Sequence, residues 1–360
     1  MKKIKVLVID DSAVMREFLT DALSKSPKIE VVGSAIDPYI AVNKINKFQP
    51  DVITLDIILP RMDGLTFLSK LMTLRPMPVI MVSSLTSKGA RETFDALEIG
   101  AIDFICKPSS GSSEEIDEFS LTLVQKVIGA SKAKIRKKST LKIIEIREKH
   151  SVDAVIPKKN PNKFKTRCKK VIAIGASTGG ANLIEDILTS LPEDIPSIII
   201  SQHMPEQYTY EYAKRINRLT SIYVKEAEHG EKLYMGRALI APGGKHMLLR
   251  RDGKGFQIEI NDGPPVNRFK PSVEVLFRSV SQSAGSSATG ILCTGIGKDG
   301  AKGLLEMKNS GAFTIAQDEK SSVVYGMPRE AVRIGAAKAQ YNVKGIIDYI
   351  LQITDGTAAI

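Results

Sequence analysis

Short apolar runs alternate with longer segments of helical pattern along most of the chain, and this alternation constrains the fold more than any other feature. Five runs lie within residues 1–108, and five more follow residue 169. The runs lack a clean alternation of apolar and polar residues, which is typical of parallel strands covered on both faces. Parallel strands need long crossover connections, and the intervening segments are long enough to form helices. The sequence therefore predicts an α/β fold with two doubly wound, mainly parallel-sheet domains.

The positions of these runs give the predicted elements. In the first region we expect strands at 4–10, 30–35, 51–56, 78–84 and 102–106, and a helix over 114–130. In the second region we expect strands at 170–175, 197–202, 237–242, 289–294 and 312–317, and helices over 180–190, 206–218, 271–283 and 299–309. The stretch "HMLLRRDGKGFQIEI" places Asp-Gly and Lys-Gly between two apolar runs, which predicts an antiparallel hairpin beside the second sheet.

The net charge of +11 is concentrated in one segment. Residues 126–170 hold 16 Lys and Arg against three Asp and Glu, whereas the rest of the chain has 35 basic and 37 acidic residues. Phe164 is the one aromatic residue of this segment, so it lacks the interleaved aromatic side chains of a nucleic-acid site. We interpret it as a basic tether with a helical stretch over 139–149. The predicted domains are 1–130 and 169–360, joined by a linker over 131–168.

The sequence has no pattern typical of an exported or membrane protein. Its first apolar run ends at Asp10 and Asp11, too early for a signal peptide, and no run approaches the length of a membrane span. The cysteines, Cys106, Cys168 and Cys293, lack the paired spacing of a disulfide framework or a metal site. These features predict a cytoplasmic protein with reduced thiols.

Charged and hydroxyl residues end four of the predicted strands in the first region. Asp10 and Asp11 follow the first strand, and Asp56 ends the third. Ser83 lies at the end of the fourth strand, and Lys107 follows the fifth. Ligands of open parallel sheets bind beyond these carboxyl ends, where three converging carboxylates would repel one another and need a cation such as Mg²⁺. The lysine and the hydroxyl complete a phosphoryl-transfer site in which Asp56 is the acceptor.

A solvent-facing loop acid would explain any one of these residues, but the full set on four strands favours a site. The region resembles a response-regulator receiver domain through "VLVIDDSAVMR", "DVITLDIILPRMDG", "IMVSS" and "AIDFICKP". The resemblance implies that Phe104 takes the place of the aromatic residue that rotates on activation. The residues it assigns to the site are Asp10, Asp11 and Asp56 for Mg²⁺, Asp56 for phosphorylation, and Ser83, Phe104 and Lys107 for the switch.

A glycine-rich turn follows the first strand of the second region. Residues 175–179, Gly-Ala-Ser-Thr-Gly, fit the G-x-S-x-G pattern of a strand-to-helix turn that exposes a serine hydroxyl, here that of Ser177. The backbone N–H of Thr178 is then free to bind an oxyanion. A phosphate-binding loop is the competing interpretation, because glycines before a helix also bind anions. The spacing is neither G-x-G-x-x-G nor a P-loop, and the next strand ends in "SQH" rather than in an acid, which favours the nucleophile.

A base and an acid accompany this serine. His203 follows the second strand of the region, beside Ser177 if the two strands are neighbours. The turn "TGIGKDGAKG" presents Asp299 at the same edge, where it could orient the imidazole or cap the predicted helix over 299–309. The sequence leaves both roles open. The chain order Ser, His, Asp differs from the order Ser, acid, His of α/β-hydrolases, which argues against that fold.

The second region resembles the catalytic region of the chemotaxis protein-glutamate methylesterase (CheB) family. The matching stretches are "IGASTGG", "QHMP", "IAPGGKHM", "PPVNRFKPSVEVLF", "TGIGKDGAKG" and "VVYGMP". With the receiver-like region and the linker, the resemblance covers essentially the whole chain in the family's domain order. It implies hydrolysis of methylated glutamates, and in some members deamidation of glutamines, on the cytoplasmic helices of chemotaxis receptors. It also implies Ser177 as the nucleophile, His203 as base and then acid, and Asp299 as the orienting acid.

One position departs from the family pattern. The turn before Asp299 commonly reads T-G-M-G, and this chain has Ile296 in place of the methionine. We expect the backbone N–H of Ile296 to join that of Thr178 in the oxyanion hole. Arg268 and Lys270 are expected either to contact an acidic receptor surface or to form a solvated basic loop.

The two sites together predict an enzyme regulated by phosphorylation. As the resemblance implies, the unphosphorylated first domain covers the Ser177 edge, and phosphorylation of Asp56 by a chemotaxis histidine kinase releases it. Mg²⁺ is the expected cofactor of the first domain, and ester hydrolysis is expected to need none. The expected substrate is a chemotaxis receptor, without sequence-specific nucleic-acid binding or membrane insertion. The alternatives are a DNA-binding output domain, for which the near-neutral second region offers no helix-turn-helix pattern, and a non-catalytic scaffold that docks receptors.

Overall fold

The computed structural model of the chain describes residues 2–84, 87–108, 111–133, 135 and 166–354. The predicted helix over 139–149 and most of the predicted linker over 131–168 lie outside the described residues. Among the helices of the described ranges, none combines the length and the apolar character that crossing a membrane requires.

Five parallel strands form the first sheet, in the order β2-β1-β3-β4-β5. Apolar side chains of the strands pack against helices on both faces of this sheet, which explains why the runs in the sequence do not alternate. The predicted α/β arrangement is confirmed here. The strands are β1 (Ile4–Ile9), β2 (Ile29–Ala35), β3 (Val52–Asp56), β4 (Val79–Ser83) and β5 (Asp103–Cys106), and the helices are α1 (Ala13–Ser24), α2 (Pro38–Phe48), α3 (Gly64–Leu74), α4 (Ser87–Ile99) and α5 (Ser113–Ala130).

Seven parallel strands form the second sheet, in the order β14-β13-β12-β6-β7-β9-β8. The central strands β12, β6 and β7 are adjacent, so their carboxyl ends lie side by side at one edge of the sheet. The strands are β6 (Val171–Ala176), β7 (Ser197–Gln202), β8 (Tyr223–Glu226), β9 (Arg237–Ile240), β12 (Ala288–Leu292), β13 (Phe313–Gln317) and β14 (Ala339–Tyr341).

The remaining elements of the second region cover this sheet. The predicted hairpin is confirmed as the antiparallel pair β10 (His246–Arg251) and β11 (Phe256–Asn261). The short edge strands β8 and β14 and the last two helices were not predicted. The helices are α6 (Gly180–Thr189), α7 (Glu206–Leu219), α8 (Val273–Ser283), α9 (Ala301–Asn309), α10 (Met327–Arg333) and α11 (Val343–Thr354).

An aromatic cluster joins the two sheets where α4 and β5 meet α7. Phe104 of β5 stacks on Tyr208 of α7 with ring centroids 4.6 Å apart, and Phe94 of α4 lies 5.3 Å from Tyr212. All four rings are buried. Such aromatic contacts stabilise an interface beyond the area they bury. The interface therefore has an apolar centre like that of a protein core.

Polar contacts surround this cluster. The side-chain amide of Asn182 donates a hydrogen bond of 2.8 Å to the backbone oxygen of Leu97, at the end of α4. Arg215 of α7 pairs with Asp95 at 3.1 Å and with Glu98 at 2.6 Å, both on α4. These contacts fix the register of α4 against the second region, while the aromatic cluster excludes water between them.

A glycine lets helix α5 approach the loop that follows β12. A Cβ added at Gly129 would lie 2.3 Å from Cδ1 of Ile296, far inside van der Waals contact. The side chain of Ile296 therefore packs directly on the backbone of α5. This contact brings the first domain onto a loop that also holds predicted site residues.

We predict that Gly129→Val separates α5 from this loop, because the added side chain occupies the space that Ile296 fills. Small-angle X-ray scattering should then give a larger radius of gyration than for the wild type. The double variant Gly129→Val/Ile296→Ala is the matched control, since it restores the space, and it should return the radius toward the wild-type value. An unchanged radius in Gly129→Val would contradict the packing described here.

Candidate functional site

Ser177 lies on a tight turn between β6 and α6. Its backbone N–H donates to the oxygen of Thr294 at 3.0 Å, and its own backbone oxygen accepts from the N–H of Gly180 at 2.8 Å. Gly179 has a φ of 77°, and a Cβ there would lie 2.6 Å from Cβ of Val323, so both its conformation and its surroundings favour glycine. The turn therefore holds the serine at the carboxyl edge of the sheet, as predicted from the glycine pattern.

His203 follows β7, directly beside this turn. Its backbone N–H donates to the oxygen of Ala176 at 3.1 Å, which ties it to the last residue of β6. Its Nε2 lies 2.8 Å from Oδ2 of Asp299, and the imidazole is almost fully buried. Its Nδ1 is also buried and has no hydrogen-bond partner among the described residues. When Nε2 carries the proton shared with Asp299, Nδ1 presents a lone pair that can accept a proton.

The imidazole is turned the opposite way from that of a chymotrypsin-type triad, in which Nδ1 faces the acid. Here Nε2 faces Asp299, and Nδ1 is the nitrogen left for the serine. Within the described ranges, Ser177 Oγ makes no hydrogen bond to His203. Bonds of this kind are often long in free enzymes and tighten when substrate binds. The geometry brings the three predicted residues to one edge and joins two of them directly.

Asp299 is a buried carboxylate with several donors around it. Oδ1 accepts from Nδ2 of Asn267 at 2.8 Å and from the hydroxyl of Ser272 at 2.9 Å, and Oδ2 accepts from the N–H of Val273 at 2.7 Å. Burial opposes its negative charge, but the hydrogen bond and the attraction of His203, together with the other donors, lower the pKa of Asp299. The group is therefore held as a carboxylate next to the imidazole.

The alternative role of Asp299 as the cap of the following helix is wrong. Helix α9 begins at Ala301, and its N-cap is Gly300, which has a φ of 83°. The carboxylate instead bonds to the first turn of α8, where the N–H of Val273 has no intrahelical partner. Asp299 therefore caps a helix that lies 26 residues earlier in the chain and faces His203 at the same time.

The two predicted oxyanion donors lie on the loops that flank Ser177. In the described part of the chain, the backbone N–H groups of Thr178 and Ile296 make no hydrogen bond. Thr178 also contacts the first domain, because its hydroxyl donates to the carboxylate of Asp103 at the start of β5. Lys126 of α5 pairs with the same carboxylate at 2.7 Å. Both loops that hold the predicted oxyanion donors are thus in contact with the first domain.

Several residues of this site were missed at the level of the sequence. The side-chain amide of Gln202 donates to the backbone oxygen of Ser177 at 2.9 Å. The hydroxyl of Thr294 donates to the backbone oxygen of Thr178, also at 2.9 Å. Asn267 and Ser272 lie in the stretch "PPVNRFKPSVEVLF", which resembles the family, but neither residue was predicted to belong to the site. Their positions against Asp299 depend on tertiary contacts that no local spacing signals.

The remaining predictions near this edge have simpler outcomes. Lys270 pairs at 2.6 Å with Asp262, a carboxylate that it shares with Lys245 at 2.7 Å. Arg268 is exposed. Cys293 is fully buried, and burial raises the pKa of its thiol to about 12, which makes it a packing residue rather than a nucleophile.

A second site lies at the carboxyl edge of the first sheet. Oxygen atoms of Asp10, Asp11 and Asp56 all lie within 4.8 Å of one another. Lys107 approaches two of them, with Nζ at 2.6 Å from Asp56 and 2.8 Å from Asp10. Three carboxylates beside one lysine leave a negative excess, and oxygen ligands at this spacing fit a hard divalent cation.

Burial and hydrogen bonding have opposite effects on the pKa values of Asp56 and Lys107. Burial raises the pKa of Asp56 and outweighs the opposing hydrogen bond from Lys107. Burial works against the charge of Lys107, but its hydrogen bonds to Asp10 and Asp56 dominate and raise its pKa. Lys107 therefore stays charged next to the carboxylate that was predicted to accept the phosphoryl group.

The predicted switch residues Ser83 and Phe104 both contact the second domain. The hydroxyl of Tyr208, in α7, donates to Oγ of Ser83 at 3.1 Å. The ring of the same tyrosine stacks on Phe104. Burial raises the pKa of Tyr208, so its hydroxyl stays protonated and remains a donor. One side chain of the second domain thus touches both switch residues.

Comparisons with known proteins agree with both halves of the fold. Residues 6–117 match the family model of the response regulator receiver domain, and residues 172–350 match that of CheB methylesterase. The crystal structure of the Thermotoga maritima CheB methylesterase catalytic domain covers 51% of this chain and 98% of its own, with 31% identity and a TM-score of 0.50.

Curated relatives match along nearly the full length. A protein-glutamate methylesterase/protein-glutamine glutaminase of Pectobacterium atrosepticum is 48% identical over an alignment of 363 positions, which covers 99% of this chain and 99% of the relative. One of Syntrophus aciditrophicus is 50% identical over 353 residues, which are 98% of this chain and 100% of the relative. The chain therefore belongs to the CheB methylesterase family and carries a response regulator receiver domain ahead of its methylesterase region.

Proposed function

We propose that this chain is a protein-glutamate methylesterase and protein-glutamine glutaminase that acts on the cytoplasmic helices of chemotaxis receptors. The buried pair of His203 and Asp299, beside Ser177 on its glycine-rich turn, carries the proposal. The names of the relatives supply the substrate class, since they combine esterase and glutaminase activity. The enzyme works in the cytoplasm, where these receptor helices lie.

The reaction begins when Ser177 Oγ attacks the carbonyl carbon of the methylated side chain. His203 Nδ1 accepts the hydroxyl proton, and the carboxylate of Asp299 stabilises the imidazolium that forms. The carbonyl electrons move onto oxygen, and this oxyanion accepts hydrogen bonds from the N–H groups of Thr178 and Ile296. All five groups belong to the loops at one edge of the second sheet.

Collapse of this intermediate breaks the bond to the methoxy group, and the imidazolium returns its proton so that methanol leaves. Water then attacks the acyl group in the same way, with His203 as base, and frees glutamate and Ser177. A glutamine side chain follows the same steps with ammonia as the leaving group. One site therefore accounts for both activities, because ester and amide share the carbonyl that the site polarises.

The first domain regulates this site through phosphorylation of Asp56. A histidine kinase of the chemotaxis system donates the phosphoryl group, and Asp10, Asp11 and Asp56 would hold the Mg²⁺ that neutralises its oxygens. Lys107 contributes a second positive charge beside the acceptor. Ser83 turns toward the new phosphoryl oxygens and gives up the hydrogen bond from Tyr208, which weakens the interface over the oxyanion loops.

We predict that Ser177→Ala lowers methanol release from methylated receptor membranes by at least about 1,000-fold, because it removes the attacking oxygen. Ammonia release from glutamine-bearing receptors should fall equally. Ser201→Ala is the control, since Ser201 is a buried serine at the end of the neighbouring strand and should keep the wild-type rate. Methanol release by Ser177→Ala at the wild-type rate would remove the nucleophile assignment.

We also predict that Tyr208→Phe raises methanol release in the absence of a phosphodonor by about 2- to 10-fold, the equivalent of one hydrogen bond. The stacking on Phe104 is kept, while the hydroxyl loses its contacts with the first domain, chiefly those to Ser83 and to the backbone oxygen of Ser84. Tyr212→Phe is the matched control, because its hydroxyl donates at 2.7 Å to Ala181 of the same domain. If Tyr208→Phe and the wild type gave the same basal rate and the same stimulation by acetyl phosphate, this coupling would be wrong.

A further inference from the structure

A tight turn at residues 266–269 lies against the pair of His203 and Asp299. The N–H of Phe269 donates to the oxygen of Val266 at 2.9 Å, and the N–H of Val266 donates back at 3.1 Å. The two central residues, Asn267 and Arg268, have φ values of 53° and 73°. This is the backbone of a type I′ turn, which needs positive φ at both central positions.

Both central residues adopt a conformation that costs energy for any residue other than glycine. Asparagine tolerates it better than most, whereas arginine has no such tendency. Strained backbone of this kind persists where surrounding contacts determine it, and it is concentrated at functional sites.

One side chain of the strained pair and the side chain that follows the pair reach the two members of the catalytic pair. Asn267 donates to Oδ1 of Asp299 at 2.8 Å. The ring of Phe269 lies parallel to the imidazole of His203, with 3.6 Å between ring centroids and 9° between ring planes. The turn thus holds the acid by a hydrogen bond and the base by ring stacking.

Stacking this close restricts the imidazole in a way that its hydrogen bond cannot. The bond to Asp299 fixes one nitrogen but allows the ring to swing about that contact. A ring covering one face blocks movement of the imidazole toward that face, so Nδ1 stays where the bond to Asp299 and the stack together hold it. Since Nδ1 has no hydrogen-bond partner in the described part of the chain, no other polar contact there performs this task.

We propose that Phe269 is a positioning residue for His203, acting through the plane of its ring and not through contact with substrate. The inference rests on the function proposed above, because it takes His203 as the base for Ser177. It predicts a loss in the chemical step rather than in substrate binding. A phenylalanine that served only to fill space would leave that step unchanged when a residue of similar size replaced it.

The test compares Phe269→Leu, which removes the flat ring, with Phe269→Tyr, which keeps it. The control is Phe313→Leu, which removes a similar stack on Tyr349, with centroids 4.7 Å apart, at the amino end of β13 and thus opposite the carboxyl edge of the sheet. Methanol release gives kcat and KM for the full-length enzyme. The rate at which a fluorophosphonate labels Ser177 reports on activation of the serine without receptor binding. Thermal unfolding verifies that each variant is folded.

We expect Phe269→Leu to lower kcat by about 10- to 100-fold, the range that misplacing a catalytic group by about 1 Å can produce, with KM within twofold of wild type. Labelling of Ser177 should slow in parallel. Phe269→Tyr and Phe313→Leu should both keep kcat within about threefold. If Phe269→Leu does not fold, Phe269→Met removes the ring with similar volume and is expected to behave as described for leucine.

Three results would overturn the inference. The first is a kcat of Phe269→Leu within twofold of wild type, and the second is an equal loss in Phe313→Leu. The third is a folded Phe269→Tyr that is as impaired as the leucine variant. Failure of the proposed function gives different results. The wild type would then release no methanol, or Ser177→Ala would release it at the wild-type rate. Either outcome would also overturn the role of Phe269.

Discussion

The carboxylate of Asp299 is the interaction on which the catalytic half of the molecule depends. A buried carboxylate is costly unless hydrogen bonds replace its water. Here the donors come from His203, from Ser272 and from the first turn of α8, so one charge joins the ends of β7 and β12 to that helix. The same charge orients the imidazole beside Ser177. The hydrogen bonds that stabilise this edge are therefore also the ones that assemble the site.

The second constraint is that the receiver domain contacts the edge that it is proposed to regulate. Thr178 bonds to Asp103, and Ile296 packs on Gly129, so both loops proposed to bind the oxyanion touch the first domain. Tyr208 connects the same interface to Ser83, at the edge of the sheet where phosphorylation is proposed. To free the esterase edge, a change at Asp56 thus needs to weaken only this one interface. It does not need to alter the packing of either core.

Much of this arrangement could be predicted from the sequence, because its signals are local. Uniform apolar runs gave the parallel strands, and polar residues at the strand ends pointed to Asp56, Ser177 and His203. What could not be predicted depends on contacts between distant segments. The short edge strands β8 and β14 have weak patterns of their own. The orientation of His203 and the role of Asp299 as cap of α8 follow from packing against residues that precede Asp299 by 26 residues or more.

The most direct measurement is the rate at which a fluorophosphonate labels the wild-type chain with and without acetyl phosphate and Mg²⁺. Mass spectrometry should place the adduct on Ser177, and the phosphodonor should accelerate its formation in the wild type but not in Asp56→Ala. That outcome would link the reactive serine to the phosphoryl site in one experiment. An adduct on another residue, or a rate that the phosphodonor leaves unchanged, would contradict the account.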